Sequence, residues 1–346
     1  MPIQDRVLAA AVSHLLAYRA RPAAIRRAVP SPTPSVVPSP SSVLSVAAAQ
    51  MRFEFVENGA QYAKKIYALA AQAAQQGAQL VAFPEYAWTP LIGMLPNIRA
   101  LERNTGGGLQ GAASTGGASL RDILLLVAPH VERAFAAAGS AVARALKIYL
   151  MNGSTVARDA NGKLFNVAYL FAPDGSLLGT QKKLHPFTSE REWLTAGSEL
   201  NVFDIGSTRV ATPVCMDFTY WETTRLAWQR GAEILINPSA DDYAEQEFLQ
   251  ARGVRTRVQE VPCYGILANM VTDLFGLHWR GPSMIVQPCA LGNSIIAQAQ
   301  TTTQQEIVVA QLDLAKLRAY RAQQHWDFHR ALLSEILPRA YTAEQK

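Results

Sequence analysis

Between Val43 and Phe83 the sequence sets out a strand, a helix and a second strand, and this order constrains the fold more than any other feature. Val43 to Phe55 reads as a strand. Ala60 to Gln76 reads as a helix, because Tyr62, Ile66, Leu69 and Ala73 recur on one face and Gly77 ends it. Gln79 to Phe83 is then a short apolar strand, stopped by Pro84, which disfavours helix in the residue before it. The same alternation continues. A long helix is expected over Leu120–Leu146, with strands at 148–156 and 167–172. The Pro173-Asp174-Gly175 turn makes a hairpin with 177–181. A β-branched run at 208–212 precedes a helix over 220–230, and Gly231 closes that helix. Further strands are expected at 233–237, 264–270, 284–287 and 307–312, with helices near 244–259 and 314–339. The class is α/β, and no internal repeat is visible.

Residues 1–42 differ from the rest. Val7 to Arg27 reads as a short basic amphipathic helix, and 30–42 is a Pro/Ser linker that builds no packed core. Three readings of this extension stay open: a disordered or loosely docked extension, an organelle transit peptide, or an anchor on a membrane surface. The division expected is therefore 1–42, a main domain over 43–320, and a helical tail over 321–346.

The remaining composition excludes more than it assigns. The net charge is +5, and the basic excess is concentrated in the extension, so no basic face calls for nucleic acid. No apolar run reaches the ~18 residues that a membrane span needs; Leu120–Ala128 is too short. Three cysteines, Cys215, Cys263 and Cys289, imply no disulfide framework. A reducing, cytoplasmic location is expected, with organelle targeting as the alternative.

Three segments carry chemistry. Cys215 lies at a strand-to-helix turn, a position that exposes sulfur and at which a helix N-terminus favours the thiolate. Glu85 stands at the end of a buried strand in Phe83-Pro84-Glu85. Lys183 opens Lys183-Leu184-His185-Pro186, with Glu190-Arg191 following. Read singly, each has an ordinary explanation: a small buried thiol, a solvated strand-end carboxylate, a charged loop.

In this order and spacing the segments resemble the carbon–nitrogen hydrolase family, the nitrilase superfamily, over roughly residues 43–320. Cys215-Met216-Asp217 with Glu222 resembles the family's nucleophile motif, although Trp221 stands where Pro is usual. Gly231-Ala232-Glu233, Asn237-Pro238-Ser239, Arg257 to Glu260 and Gly281-Pro282-Ser283 add to the match. The resemblance implies a four-layer α-β-β-α sandwich that pairs into a homodimer or larger oligomer. It implies Glu85 as general base, Lys183 as the cation that stabilises the oxyanion, and Cys215 as nucleophile. The backbone N–H of Met216 would assist, and Glu190 would orient the lysine and base, with Glu192 as runner-up. A second register of the lysine motif selects Lys182. No metal or cofactor is implied.

The expected reaction is hydrolysis of a linear non-peptide amide through a thioester. A nitrile substrate, acyl transfer to an amine, or a non-catalytic binding protein are the alternatives. Nitrilases of the family usually carry Cys-Trp-Glu, which Cys215-Met216-Asp217 does not match. A carboxylate serves as base here only if burial lifts its pKa toward neutral.

Other features carry less. Glu85 and Lys183 are 98 positions apart, and the Gly-rich stretch 104–117 is the expected insertion, a candidate lid. Its three glycines are not a phosphate loop, since no Gly-Lys-Ser/Thr follows. His325 and His329 are four apart but lack a third ligand. Trp88, Trp193 and Trp221 read as core or pocket wall, and His185 as a loop polar group. Arg252, Arg255, Asp241 and Asp242 are surface or ion-pair residues, or else face a charged substrate.

Overall fold

The computed structural model describes residues 3–31, 42–104, 120–242 and 251–323, with the single positions 335 and 338. In chain order the elements are α1 (Ile3–Arg19), α2 (Pro22–Ala28), β1 (Val43–Arg52), α3 (Gly59–Gln75), β2 (Leu80–Ala82), α4 (Ile98–Asn104), α5 (Leu120–Leu146), β3 (Tyr149–Arg158), β4 (Leu164–Phe171) and β5 (Leu177–Lys182). There follow β6 (Val202–Asp204), β7 (Arg209–Ala211), α6 (Trp221–Gln229), β8 (Ile234–Ser239), α7 (Val254–Glu260), β9 (Tyr264–Val271), β10 (Met284–Val286), β11 (Ile295–Gln298), β12 (Glu306–Asp313) and α8 (Leu314–Gln323).

The strands form two sheets, ordered β5-β4-β3-β2-β1-β12 and β6-β7-β8-β9-β10-β11. Among the described residues they join where Met51 and Arg52 of β1 run parallel to Met270 and Val271 of β9. In the first sheet β1, β2 and β3 are parallel; in the second, β7, β8 and β9 are. Antiparallel strands flank each parallel centre.

Period-two alternation assigns the layers. On β1, Leu44, Val46 and Ala48 point into the core between the sheets, where they meet Ile234, Ile236 and Ile266 of the second sheet. Ala47, Ala49 and Met51 point the other way, beneath Tyr62, Ile66 and Leu69 of α3 and Phe135 and Val142 of α5. On β8 the intervening Leu235 packs with Ala227 of α6 and Val258 of α7. The result is the α-β-β-α sandwich expected from the motifs. The side chain of Asn58 caps α3 by accepting from the Gln61 N–H.

By length and composition α5 is apolar enough to cross a bilayer, a property of the whole helix that its apolar start, Leu120–Ala128, does not reveal. Its apolar face is buried against the first sheet and α3.

The extension departs from expectation. Where a disordered or loosely docked segment is expected, residues 3–28 form two helices, and Leu16, Ala20 and Ile25 are fully buried in the core beneath α3 and α5. The single helix expected over 7–27 breaks at Arg21, whose extended backbone is what a following proline imposes. Gly59, at the start of α3, makes room for Ile25: a Cβ there would lie 2.6 Å from the Ile25 Cδ1. Most of the Pro/Ser linker lies outside the described residues, as do the Gly-rich stretch beyond Asn104, residues 243–250, His325 and His329.

The boundary drawn at 320/321 falls inside α8. Arg318 binds Glu233, and Arg321 binds the carbonyls of Ala232 and Pro262, so this helix is tied to the main domain. The β-branched run at 208–212 is β7; three short elements, α4, β6 and β11, carry too little periodicity to be read from sequence.

Candidate active site

The chemistry-bearing residues gather where several strands end. Glu85 follows β2, Lys183 follows β5, Cys215 follows β7, and Asn237, Ser239 and Asp241 lie at the end of β8 or just past it. All line one pocket of 1120 Å³.

The turn at Glu85 needs a close approach. Ser154 donates its N–H to the Pro84 carbonyl, and Gly153, at φ 74°, has no room for a side chain: a Cβ would lie 2.1 Å from the Pro84 oxygen. Tyr86, next to Glu85, holds a left-handed φ of 56° and is pinned by donation from its N–H to Ser154 Oγ at 3.0 Å. Glu85 is 1 % exposed. Its Oε1 accepts from Lys183 Nζ at 2.8 Å and from Asn166 Nδ2 at 2.8 Å. Among the described residues no hydrogen bond reaches Oε2.

Strand alternation settles which lysine enters. Lys182, the last residue of β5, is exposed and lies over the Phe165 ring, whereas Lys183 points inward and is 2 % exposed. Lys183 Nζ also donates to Glu190 Oε2 at 2.7 Å. Glu190 is buried and Glu192 exposed, so Glu190 is the carboxyl beside the lysine. The Tyr86 hydroxyl binds the other Glu190 oxygen, and Tyr86 in turn stacks on Trp279.

Burial opposes the Lys183 charge, but the neighbouring carboxylates, Glu85 first, outweigh it; the lysine is held above its ordinary value and stays cationic. Burial, then repulsion from Glu85, pushes the Glu190 carboxyl well above the usual range. The trio therefore keeps close to charge balance in a dry site.

Cys215 opens a 3-10 turn, Cys215–Thr219, at a left-handed φ of 47°. That strain is held by two anchors. Its N–H donates to Asn237 Oδ1 at 3.1 Å, and the buried Asp217 carboxylate accepts from the N–H groups of Val214, Leu184 and His185. Asp217 thereby ties the cysteine turn to the lysine loop, and His185 stacks on Tyr220 outside the pocket. Met216, the next residue, lines the pocket, and its N–H makes no hydrogen bond among the described residues.

The thiolate favoured by a helix N-terminus is not the resting state. Burial and the charge of Glu85 push the thiol well up, and Lys183 offsets only part of this. Cys215 rests as a protonated thiol and needs a base. Arg257, from another motif, is structural: its guanidinium binds the carbonyls of Phe218 and Thr219 behind the turn.

Asp241, read from sequence as a surface or ion-pair residue or else one facing a charged substrate, lies in the site. Its Oδ1 lies 3.8 Å from Cys215 Sγ and accepts from Ser239 Oγ at 2.7 Å. Of the other candidates, Asp242, Arg255, Trp88 and Trp193 border the pocket, while Arg252 and Trp221 do not. Cys263 is buried and its thiol pushed up to about 12 by burial; Cys289 is exposed.

Burial, with Glu85 adding to it and the Ser239 hydroxyl opposing, raises Asp241 to about 6. A carboxyl whose native pKa exceeds its unfolded one favours the native state at low pH, and that contribution is lost as pH rises from about 4 through 6. Relative to Asp241→Asn, wild-type unfolding free energy should therefore fall by about 3 kcal/mol across this window. Urea midpoints at pH 4, 5, 6 and 7 check it; parallel curves for the two proteins would refute it.

The model of the family described as Carbon-nitrogen hydrolase matches residues 45–322. Omega-amidase NIT2 of Bos taurus is 33% identical over 199 residues, which cover 53% of this chain and 68% of that protein. Among solved structures, the carbon-nitrogen hydrolase from Helicobacter pylori G27 superposes with a TM-score of 0.66 at 21% identity, covering 86% of this chain and 100% of that one. A mutant amidase from Nesterenkonia sp. AN1, with the acetamide moiety of fluoroacetamide covalently added at its active-site cysteine, superposes with a TM-score of 0.61 at 21% identity, covering 84% and 98%.

Proposed function

This chain belongs to the carbon–nitrogen hydrolase family, and we infer that within it Glu85, Lys183 and Cys215 split the C–N bond of a linear, non-peptide amide. The observation that carries this reading is the buried contact of Lys183 with both Glu85 and Glu190, at 2.8 and 2.7 Å, in the same pocket as Cys215. A cation held between two carboxyls beside a protonated thiol is the arrangement such a reaction requires.

The steps follow from these groups. Glu85 takes the Cys215 proton, with Oε2 open for it, and the sulfur attacks the amide carbon. The oxygen gains charge and is met by Lys183 Nζ and the Met216 N–H, donors already in place before charge develops. The proton on Glu85 passes to the leaving nitrogen, ammonia or an amine departs, and a thioester remains on Cys215. Glu85 then deprotonates water, which attacks the thioester and releases the acid. Glu190, held by the Tyr86 hydroxyl and the Phe187 N–H, keeps Lys183 aimed. The covalent addition at the cysteine of the Nesterenkonia amidase supports a nucleophilic role for the sulfur.

The test is a panel of linear amides, carbamoyl amino acids and nitriles, assayed for ammonia with the purified protein. Amides are expected to be hydrolysed and nitriles left intact. Release of ammonia from nitriles alone would overturn the amidase reading in favour of a nitrilase.

A further inference from the structure

The family match begins at residue 45, yet the pocket that holds Cys215 is bordered by Val12, a residue of α1. Three contacts fix α1 in this position. Ser13 Oγ lies 2.9 Å from His130 Nε2 of α5, Arg19 Nη1 donates to the Met94 carbonyl at 2.7 Å, and Leu16 is 1 % exposed within the core beneath α5. Met94 closes the 3-10 turn Thr89–Met94, whose Ile92 is itself part of the pocket wall. The extension is thus bolted to two of the elements that shape the cavity.

The pocket is divided in character. Glu85, Lys183, Glu190 and Asp241 gather around Cys215, and Asp242 and Arg255 also border the pocket. Toward α1 the wall is supplied by Val12, Ile92, Ile98, Ile123 and Val127. None of these five side chains offers a hydrogen bond or a charge. A polar acyl group set against these five side chains would leave water and gain no partner from them, at a penalty, with Thr89 and Asn97 the polar residues of the same segments that border the pocket; an alkyl chain gains by the same move. The size agrees. Clefts of about 300–1,000 Å³ hold drug-sized ligands, and this one measures 1120 Å³, well beyond what a short amide fills.

We propose that the substrate is the amide of a medium- or long-chain apolar carboxylic acid, with its carbonyl at Cys215 and its chain in the arm bordered by Val12. The N-terminal extension is on this account a wall of the substrate pocket and sets chain-length preference. The proposal rests on the amidase reading above for its chemistry, but not for its binding.

The test uses the full chain and straight-chain primary amides from three to twelve carbons. Hydrolysis is read as ammonia release. Binding is read on Cys215→Ala protein by quenching of the fluorescence of pocket tryptophans such as Trp88 and Trp193. Both kcat/KM and affinity are expected to rise about fourfold per added methylene, the factor that burying a CH2 carries, until the arm is full. Val12→Trp should move the plateau at least two carbons shorter, and Val12→Ala should move it longer, so that the pair remains informative if one variant folds poorly. A profile that is flat with chain length, or a plateau unmoved by both variants, overturns the proposal. The two readings fail separately. Hydrolysis that ignores chain length would remove this proposal and leave the amidase. Chain-length-dependent binding without hydrolysis of any amide would do the reverse.

Discussion

Cys215→Ala is expected to lower kcat for amide hydrolysis by about four orders of magnitude or more while leaving the fold intact. The size follows from the role. Without the sulfur no thioester forms, and the donors around the carbonyl retain only their share of catalysis, as in other covalent hydrolases stripped of their nucleophile. The fold should survive because the turn is held from outside the sulfur: Asn237 binds the Cys215 N–H, and Asp217 binds the neighbouring N–H groups. The measurement is ammonia release under single-turnover conditions, with intact-protein mass spectrometry for an acyl adduct. Wild type should carry the adduct with a slowly turned-over amide and the variant none. Equal release from both proteins would remove Cys215 from the mechanism.

Lys183→Met should do damage of two kinds. Loss of one preorganised donor to a developing oxyanion commonly costs about two to three orders of magnitude in rate. The stability effect is separate. Lys183 is 2 % exposed and binds Glu85 and Glu190 at once. Removing the cation leaves two carboxyls facing each other in a dry site, and breaking a buried pair in this way costs about 3–5 kcal/mol. The sign with pH is fixed. Glu190 already holds its proton above the usual carboxylate range in the native state, and loss of the cation strengthens this, so the variant is most stable in acid and loses stability as pH rises. Adding Glu85→Gln to Lys183→Met should return part of the stability and none of the activity. Urea unfolding of the three proteins at pH 5 and pH 8 decides it. A single variant as stable as wild type at pH 8 would mean that the buried network holds little charge.

Much of this protein is legible in its sequence. The strand–helix–strand pattern of 43–83 and the repeated alternation after it give the α/β class, because period 2 and period 3.6 leave different marks on the hydrophobic residues. The ordered motifs around Glu85, Lys183 and Cys215 give the family, and the structure brings these residues into one pocket. What the motifs leave open is local geometry. Lys182 and Lys183 are equivalent as letters. They differ only in which face of β5 each leaves by, a consequence of strand register against β4. The protonation state of Cys215 is likewise decided by neighbours distant in sequence. A turn at a helix-like start favours the thiolate, but burial and Glu85 overrule it, and Glu85 is 130 residues away.

The extension shows the limit most plainly. A Pro/Ser linker and scattered arginines read as a segment outside the fold, because its few large apolar residues, such as Leu16 and Ile25, form no strong local stripe. Their burial depends on surfaces made elsewhere, the notch at Gly59 and the flank of α5. Asp241 is similar: nothing in Ser239-Ala240-Asp241 marks its carboxyl as a neighbour of Cys215, and only the end of β8 beside the cysteine turn makes it one.

The sequence by itself determined the class of fold, the family, and the identities of the base, cation and thiol candidates, since these are carried by local periodicity and by short motifs. The tertiary structure alone decided which lysine and which glutamate enter the pocket, that the thiol rests protonated, that Asp241 joins the site, and that a helix from the N-terminus forms part of its wall. Each of these depends on distances between segments far apart in the chain, which local residue patterns do not encode.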